Sequence, residues 1–271
     1  MKFRKGDIVG RLSYNKDIVF TVSNIIKCKE QDIAILKGLF TRIEADSPLY
    51  DLELIENDRI INLLDKFEKE IGKSKKNIIN TQSNMFKRYY QHYGRILHLD
   101  GDRKYSEKSQ RVYKSMGLNV IVKNIPESKQ PQMIWGLLGK YNPDILVVTG
   151  HDGMIKKGRN YSDIYNYMNS RFFVNTVKRA KEHEYGKNLV IFAGACQSYF
   201  EALINAGANF ASSPARVLLD FADPLIVAEK IATTDSDCYI TINDIADDLR
   251  DGKDGVGGIG AKGKKHKVTS L

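Results

Sequence analysis

The stretch VIFAGACQSYFEALINAG, residues 190–207, opens as an unbroken apolar run and closes as a helix-like pattern, with Cys196 at the bend. Its first residues read as a strand buried on both faces, a pattern typical of parallel sheets. Its last residues read as a helix ended by Gly207. DILVVTG (144–150) is a second run of the same kind and delivers His151 at its carboxyl end. Gly150 and Gly153 flank the histidine, and Gly194 and Ala195 precede the cysteine. Small residues there leave room for another backbone to come close.

The alternation continues on either side of these two runs. RILHLD (95–100) and NVIVKNI (119–125) read as strands, and ANFASSP as a fifth. Helical patterns lie between or after them: SEKSQRVYKSMG stopped by Gly117, PQMIWGLLGKY, NSRFFVNTVKRAKEH (169–183) and DPLIVAEKIATT. Apolar strands alternating with helices predict a parallel sheet covered on both faces, with right-handed crossovers. Ligands and chemistry gather beyond the carboxyl ends of such strands. If the 144–150 and 188–195 strands are neighbours, His151 and Cys196 project into one crevice.

The first 55 residues differ. GDIVGRL, DIVFTVSNI, DIAILKGL and LYDLELI are short, β-branched and separated by turn-like polar residues. They predict a small SH3-like β-barrel module over residues 1–55. Residues 56–94 carry Ile60, Ile61, Leu63, Leu64, Phe67 and Ile71 at helical spacing and then a polar stretch, which predicts a helical connector. The α/β domain would then span 95–252, with a flexible basic tail over 253–271. The tail's GVGGIGAKGKK has the composition of a phosphate loop but not its GxxxxGK[ST] spacing.

The chain has 271 residues, with 42 Lys and Arg against 33 Asp and Glu, for a formal net charge of +9. Apolar residues make up 42%, enough for a packed core rather than wholesale disorder. No apolar run approaches the roughly 20 residues of a membrane span, and the N-terminus turns polar too early for a secretory signal. A soluble protein kept inside the cell is expected, with no membrane partner. Much of the positive charge lies in 66–88 and in the tail. A solvated linker explains it better than nucleic-acid binding, because charge alone carries little information. Cys28, Cys196 and Cys238 are too few and too far apart for a disulfide framework. Cys28 and Cys238 read as packing residues. No metal-ligand spacing occurs, so no cofactor is expected.

A thiol attacks as thiolate, and a nearby imidazole can accept its proton. The helix after Cys196 would bring a positive dipole end and backbone N–H groups able to hold an oxyanion. Cys196 and His151 are therefore the candidate catalytic pair, with Asp152, Gly153 and Ala195 as their neighbours. Asp152 reads equally as a turn former or as a group that orients His151 or meets a basic substrate.

An apolar block ending in His, followed 45 residues on by an apolar block ending in Ala-Cys, resembles the caspase–gingipain–separase clan of cysteine peptidases. With KGDIVGRLSY, RILHLDGD, VVTGHDG, AGACQSYFEA and ANFASSPAR, nearly the whole chain is similar to the YabG family of sporulation-specific peptidases. The resemblance implies a caspase-like fold, with His151 as general base and Cys196 as nucleophile of an acyl-enzyme mechanism. The Cys196 N–H and one N–H near His151 would form the oxyanion hole. It also implies protein substrates of the spore coat and cortex, cleavage after arginine, and residence in the mother-cell cytoplasm and the coat. The clan usually has Gly directly after the His, where this chain has Asp152, which leaves the second oxyanion donor open. An arginine pocket needs a carboxylate. Asp220, Asp223, Asp235 and Asp237 are candidates, each also readable as a cap or turn residue. The basic connector and tail are expected sites of self-cleavage. Two other readings remain. One is an amidotransferase-like cysteine hydrolase, although that class places Cys before His. The other is a non-catalytic scaffold that binds nucleic acid or coat proteins and leaves Cys196 inert.

Overall fold

A computed structural model describes residues 3–28, 31–63, 93–155 and 160–266. The N-terminal strands β1 (Ile8–Arg11), β2 (Phe20–Ile26), β3 (Ile33–Gly38), β4 (Glu44–Pro48) and β5 (Leu52–Leu54) form one antiparallel sheet, in the order β4-β3-β2-β1-β5. Val9, Phe20, Val22, Ala34 and Leu36 alternate inward along these strands and are buried. Residues 57–63 are helical. The rest of the expected connector through residue 92, including His92, lies outside the described residues, as do 267–271.

The larger sheet holds β6 (Ile96–Asp100), β7 (Val120–Asn124), β8 (Ile145–Thr149), β9 (Val190–Ala193), β10 (Phe210–Ser212) and β12 (Val256–Gly258), in the order β12-β10-β9-β8-β6-β7. Strands β6 to β10 run parallel. Successive side chains go to opposite faces. Ile96, Ile145, Val147, Val190 and Phe192 join one apolar cluster, and Leu97, Leu99, Leu146, Val148 and Ile191 join another. The first cluster takes in Tyr113 and Met116, in and beside α1 (Arg103–Ser115), and Leu225, Val227 and Ile231 of α5 (Asp223–Thr233). It runs on without a break into the core of the N-terminal sheet. The second takes in Ile134 and Leu138 of α2 (Gln130–Tyr141), Phe173 and Val177 of α3 (Ser170–Glu182) and Leu203 of α4 (Phe200–Asn205). Helices thus cover both faces of a mostly parallel sheet.

Residues 256–266 are not a free tail. After α6 (Gly252–Gly255), β12 pairs antiparallel with β10 and closes that edge. Then β13 (Ala261–Lys262) pairs with β11 (Tyr239–Ile240). The glycines that suggest a loop have a packing cause. A Cβ on Gly257 would lie 2.8 Å from the Phe200 ring, and one on Gly258 2.3 Å from the Asn209 carbonyl oxygen. Cys28 and Cys238 are exposed rather than packed. Cys28 lies just after β2 and Cys238 just before β11.

Two glycines make a direct test of this packing. Gly194 has φ of 112°, and a Cβ there would stand 2.3 Å from Ser212 Oγ. Gly194→Ala is expected to cost on the order of 2–4 kcal/mol, seen as a lower urea midpoint at unchanged slope. Gly136 lies mid-helix with nothing within 4 Å of its added Cβ. Gly136→Ala should raise stability by about 0.5–1 kcal/mol.

Candidate active site

The register of β8 against β9 places the two candidate residues. Val148 pairs with Ala193, and the Gly194 N–H donates to the Val148 carbonyl at 2.9 Å. Three residues beyond that pair on each strand stand His151 and Cys196. Both therefore leave adjacent parallel strands at the same carboxyl rim. The chain turns sharply after Cys196, and Gln197 is left-handed with φ of 54°. Helix α4 begins only at Phe200, so the expected helix N-terminus does not abut the thiol. The intervening amides are taken by the turn. Ala195 N–H donates to Ser198 Oγ at 2.9 Å, and Gln197 N–H donates to the Val217 carbonyl at 3.1 Å and Ser213 Oγ at 3.2 Å.

Asp152 ties the two loops together. Its buried carboxylate accepts hydrogen bonds from the Gly153 and Asn169 amides and from the hydroxyls of Ser170 and Ser198. Ser170 opens α3 and Ser198 follows the cysteine, so one carboxylate anchors the His151 loop to α3 and to the Cys196 turn. It is spent on these donors rather than on the imidazole. The Glu127 side chain, buried between Gly101 and Gly150, accepts the His151 backbone N–H at 2.7 Å. A Cβ on either glycine would fall within 2.3 Å of that carboxyl group, so both must be glycine for Glu127 to enter.

The imidazole is 1% exposed and the thiol 0%. Among the described residues neither ring nitrogen has a hydrogen-bond partner. Asp102 Oδ2 is 3.9 Å from His151 Nε2, the Tyr105 ring packs edge-on with centroids 6.0 Å apart, and the Gly38 carbonyl faces the ring. Burial pushes the imidazole down to about 3, with Lys37 and Arg42 adding to the effect and Asp102 opposing it. The Cys196 sulfur accepts the Leu219 N–H at 3.3 Å. Burial pushes the thiol up to about 12, against the pull of that N–H, the Arg42 charge and the Arg42 backbone amide. Burial thus favours the neutral form of both groups.

What encloses the pair comes from the N-terminal sheet. The turn 38–43 between β3 and β4 crosses the rim, and its Arg42 is 1% exposed. Arg42 Nη2 is 2.9 Å from Asp100 Oδ2 at the end of β6. Its guanidinium lies over the rings of Tyr105 (4.8 Å) and Phe221 (5.5 Å). Burial raises the Asp100 carboxyl, and Arg42 is the largest force holding it down. Arg42, Asp100, Tyr105 and Glu127 were not among the sequence candidates. Only RILHLDGD hinted at Asp100, as a carboxylate ending a buried strand.

Each of the four acids considered for an arginine pocket has a partner of its own. Asp220 accepts the Ala222 N–H and lies 3.5 Å from Arg250. Asp223 opens α5 and accepts the amides of Asp220 and Arg250. These two flank Phe221. Asp235 pairs with Lys265, and Asp237 accepts from the Cys238 thiol. Among the described residues no group of three or more His, Cys, Asp or Glu could hold a metal ion, and no helix is long and apolar enough to cross a membrane. A cleft of about 540 Å³ on the N-terminal sheet, lined by Arg4, Lys5 and Lys27 among others, contains none of the residues around His151 and Cys196.

A histidine and a cysteine thus stand at one rim of the α/β sheet, and the class of protein follows from the chain's relatives. The chain belongs to the YabG peptidase family, whose description, YabG peptidase U57, matches residues 4–270. It is 40% identical over 250 residues to the sporulation-specific protease YabG of Bacillus subtilis (strain 168), covering 86% of each chain. No solved structure matches.

The buried carboxyl behind His151 has a measurable signature. Burial pushes Glu127 up to about 7. Between its unfolded value near 4.5 and that folded value, the native state holds the proton more tightly than the unfolded state, so this group's contribution falls as pH rises. Measured against wild type so that other groups cancel, Glu127→Gln should gain relative stability between about pH 5 and 7.5. Urea unfolding at both pH values checks this, and a pH-independent difference would contradict it.

Proposed function

We propose that the chain is a cysteine endopeptidase in which Cys196 is the nucleophile and His151 the general base. The single observation that supports this is the register that sets both residues three positions beyond the Val148–Ala193 pair. In the reaction His151 takes the thiol proton as sulfur attacks the scissile carbonyl, then gives it to the leaving amine. Water next attacks the thioester with His151 again as base. The backbone N–H of Asp152, directly after His151, already donates to a carbonyl oxygen, that of Arg42, at 3.2 Å. It is the natural partner of the Cys196 N–H in an oxyanion hole, with Asp152's side chain rather than a glycine fixing its direction.

The named relative is a sporulation-specific protease, which supports a role in sporulation for this chain. We read its substrates as spore coat and cortex-associated proteins, met in the mother-cell cytoplasm and the coat, with cleavage after arginine. We read the larger domain as caspase-like and the N-terminal sheet as SH3-like. The basic segment 66–88 is the expected place of self-cleavage.

Cys196→Ala should abolish cleavage of an arginyl peptide amide with near-UV circular dichroism unchanged. His151→Ala should do nearly the same, and the double variant should lose little more than either, because the two act as a unit. Losses that multiply would contradict a cooperating pair. Intact-mass spectra of stored protein should show truncation for wild type and none for Cys196→Ala.

A further inference from the structure

Arg42 is hard to explain as a structural residue. Taking a guanidinium and a carboxylate out of water is costly, and a single ion contact does not offset it unless hydrogen bonds complete the site. On the carboxylate side they do, since Asp100 accepts the Asp102 N–H and the Thr149 hydroxyl at 2.8 Å each; on the guanidinium side they do not, since Nε, Nη1 and Nη2 of Arg42 reach no hydrogen-bond geometry with any described residue, although Asp100 lies at ion-pair distance. A buried carboxylate between two aromatic walls, one of them also touched by the Lys108 ammonium at 3.8 Å, is instead what recognises a basic side chain from another chain.

The backbone around Arg42 is also placed as a substrate would be. Ile43 bridges Asp152 in a strand-like pairing. The Arg42 carbonyl accepts the Asp152 N–H, and the Asp152 carbonyl accepts the Glu44 N–H at 2.9 Å. The Arg42 amide faces the Cys196 sulfur, and the Gly38 carbonyl faces the His151 ring. The Gly38 N–H donates to the Ile43 carbonyl at 2.8 Å and closes the turn. The turn thus pairs, strand-like, with the loop that carries His151.

We propose that the 38–43 turn is a built-in occupant of the substrate groove: Arg42 fills a basic-residue pocket formed by Asp100, Tyr105 and Phe221, and the chain as folded is latent until that turn is displaced. The proposal rests on the peptidase reading above. It also accounts for a nucleophile and a base that share a rim yet are both sealed from solvent.

The test uses the full chain and two readouts. The first is alkylation of Cys196 by iodoacetamide, mapped by mass spectrometry, with the exposed Cys28 and Cys238 as internal standards. The second is turnover of an arginyl peptide amide against its norleucyl analogue. In wild type, Cys196 should label about a hundredfold more slowly than the two exposed thiols. Arg42→Ala should speed Cys196 labelling at least about tenfold and raise arginyl turnover. The double variant Arg42→Ala/Asp100→Asn removes both buried charges, so neither is left unpaired. It should label as fast as Arg42→Ala yet lose the preference for arginyl over norleucyl amide. Cys196 labelling in wild type as fast as Cys28, or unchanged in both folded variants, would overturn the plug. An arginyl preference retained without Asp100 would overturn the pocket. If the variants free the thiol but none cleaves any peptide, the peptidase reading fails and the occlusion stands.

Discussion

One register carries the rest of the structure: the parallel pairing of β8 with β9 at Val148 and Ala193. Side chains of a strand alternate, so slipping this register by one residue would exchange the side chains that each face packs into its own core. Two separate cores, one on each side of the sheet, therefore hold it. The rim residues inherit that precision. His151 and Cys196 are positioned by the burial of Val147, Val148, Phe192 and Ala193, not by a bond between themselves.

A second constraint turns a shared rim into a single site. The Asp152 carboxylate joins the His151 loop, α3 and the Cys196 turn through four donors. Glu127 holds the His151 backbone from behind. Neither carboxylate is hydrogen-bonded to the imidazole or to the thiol. Both act on direction, so that two loops leaving different strands keep one relative geometry. The left-handed Gln197 next to the thiol is the local strain this arrangement tolerates.

The sequence was most legible where periodicity is strong. The buried strands 96–100, 145–149 and 190–193 and the helices after them follow from apolar runs and their breakers, and the common rim follows from the carboxyl-end rule. It was least legible where the decisive contact is long-range. Nothing local marks Arg42, in a turn of the small N-terminal sheet, as a residue that would be buried against Asp100, 58 positions later. The glycine-rich 255–260 misleads for a different reason. Composition says loop, whereas close packing on Phe200 and Phe210 needs residues without a Cβ in an edge strand. The expected helix dipole at Cys196 also failed on a detail that patterns do not resolve, three residues of turn between the thiol and α4.

The electrostatics of the resting site fit an enclosed rather than a working state. Burial, more than any partner charge, moves the imidazole down and the thiol up, and admission of water would lessen both shifts. The most direct measurement is covalent capture with an arginyl chloromethyl ketone on wild-type, Arg42→Ala and His151→Ala chains, read by peptide mass spectrometry. The account predicts an adduct on Cys196, faster in Arg42→Ala and nearly absent in His151→Ala. Adducts confined to Cys28 and Cys238, or a Cys196 rate indifferent to His151, would contradict it.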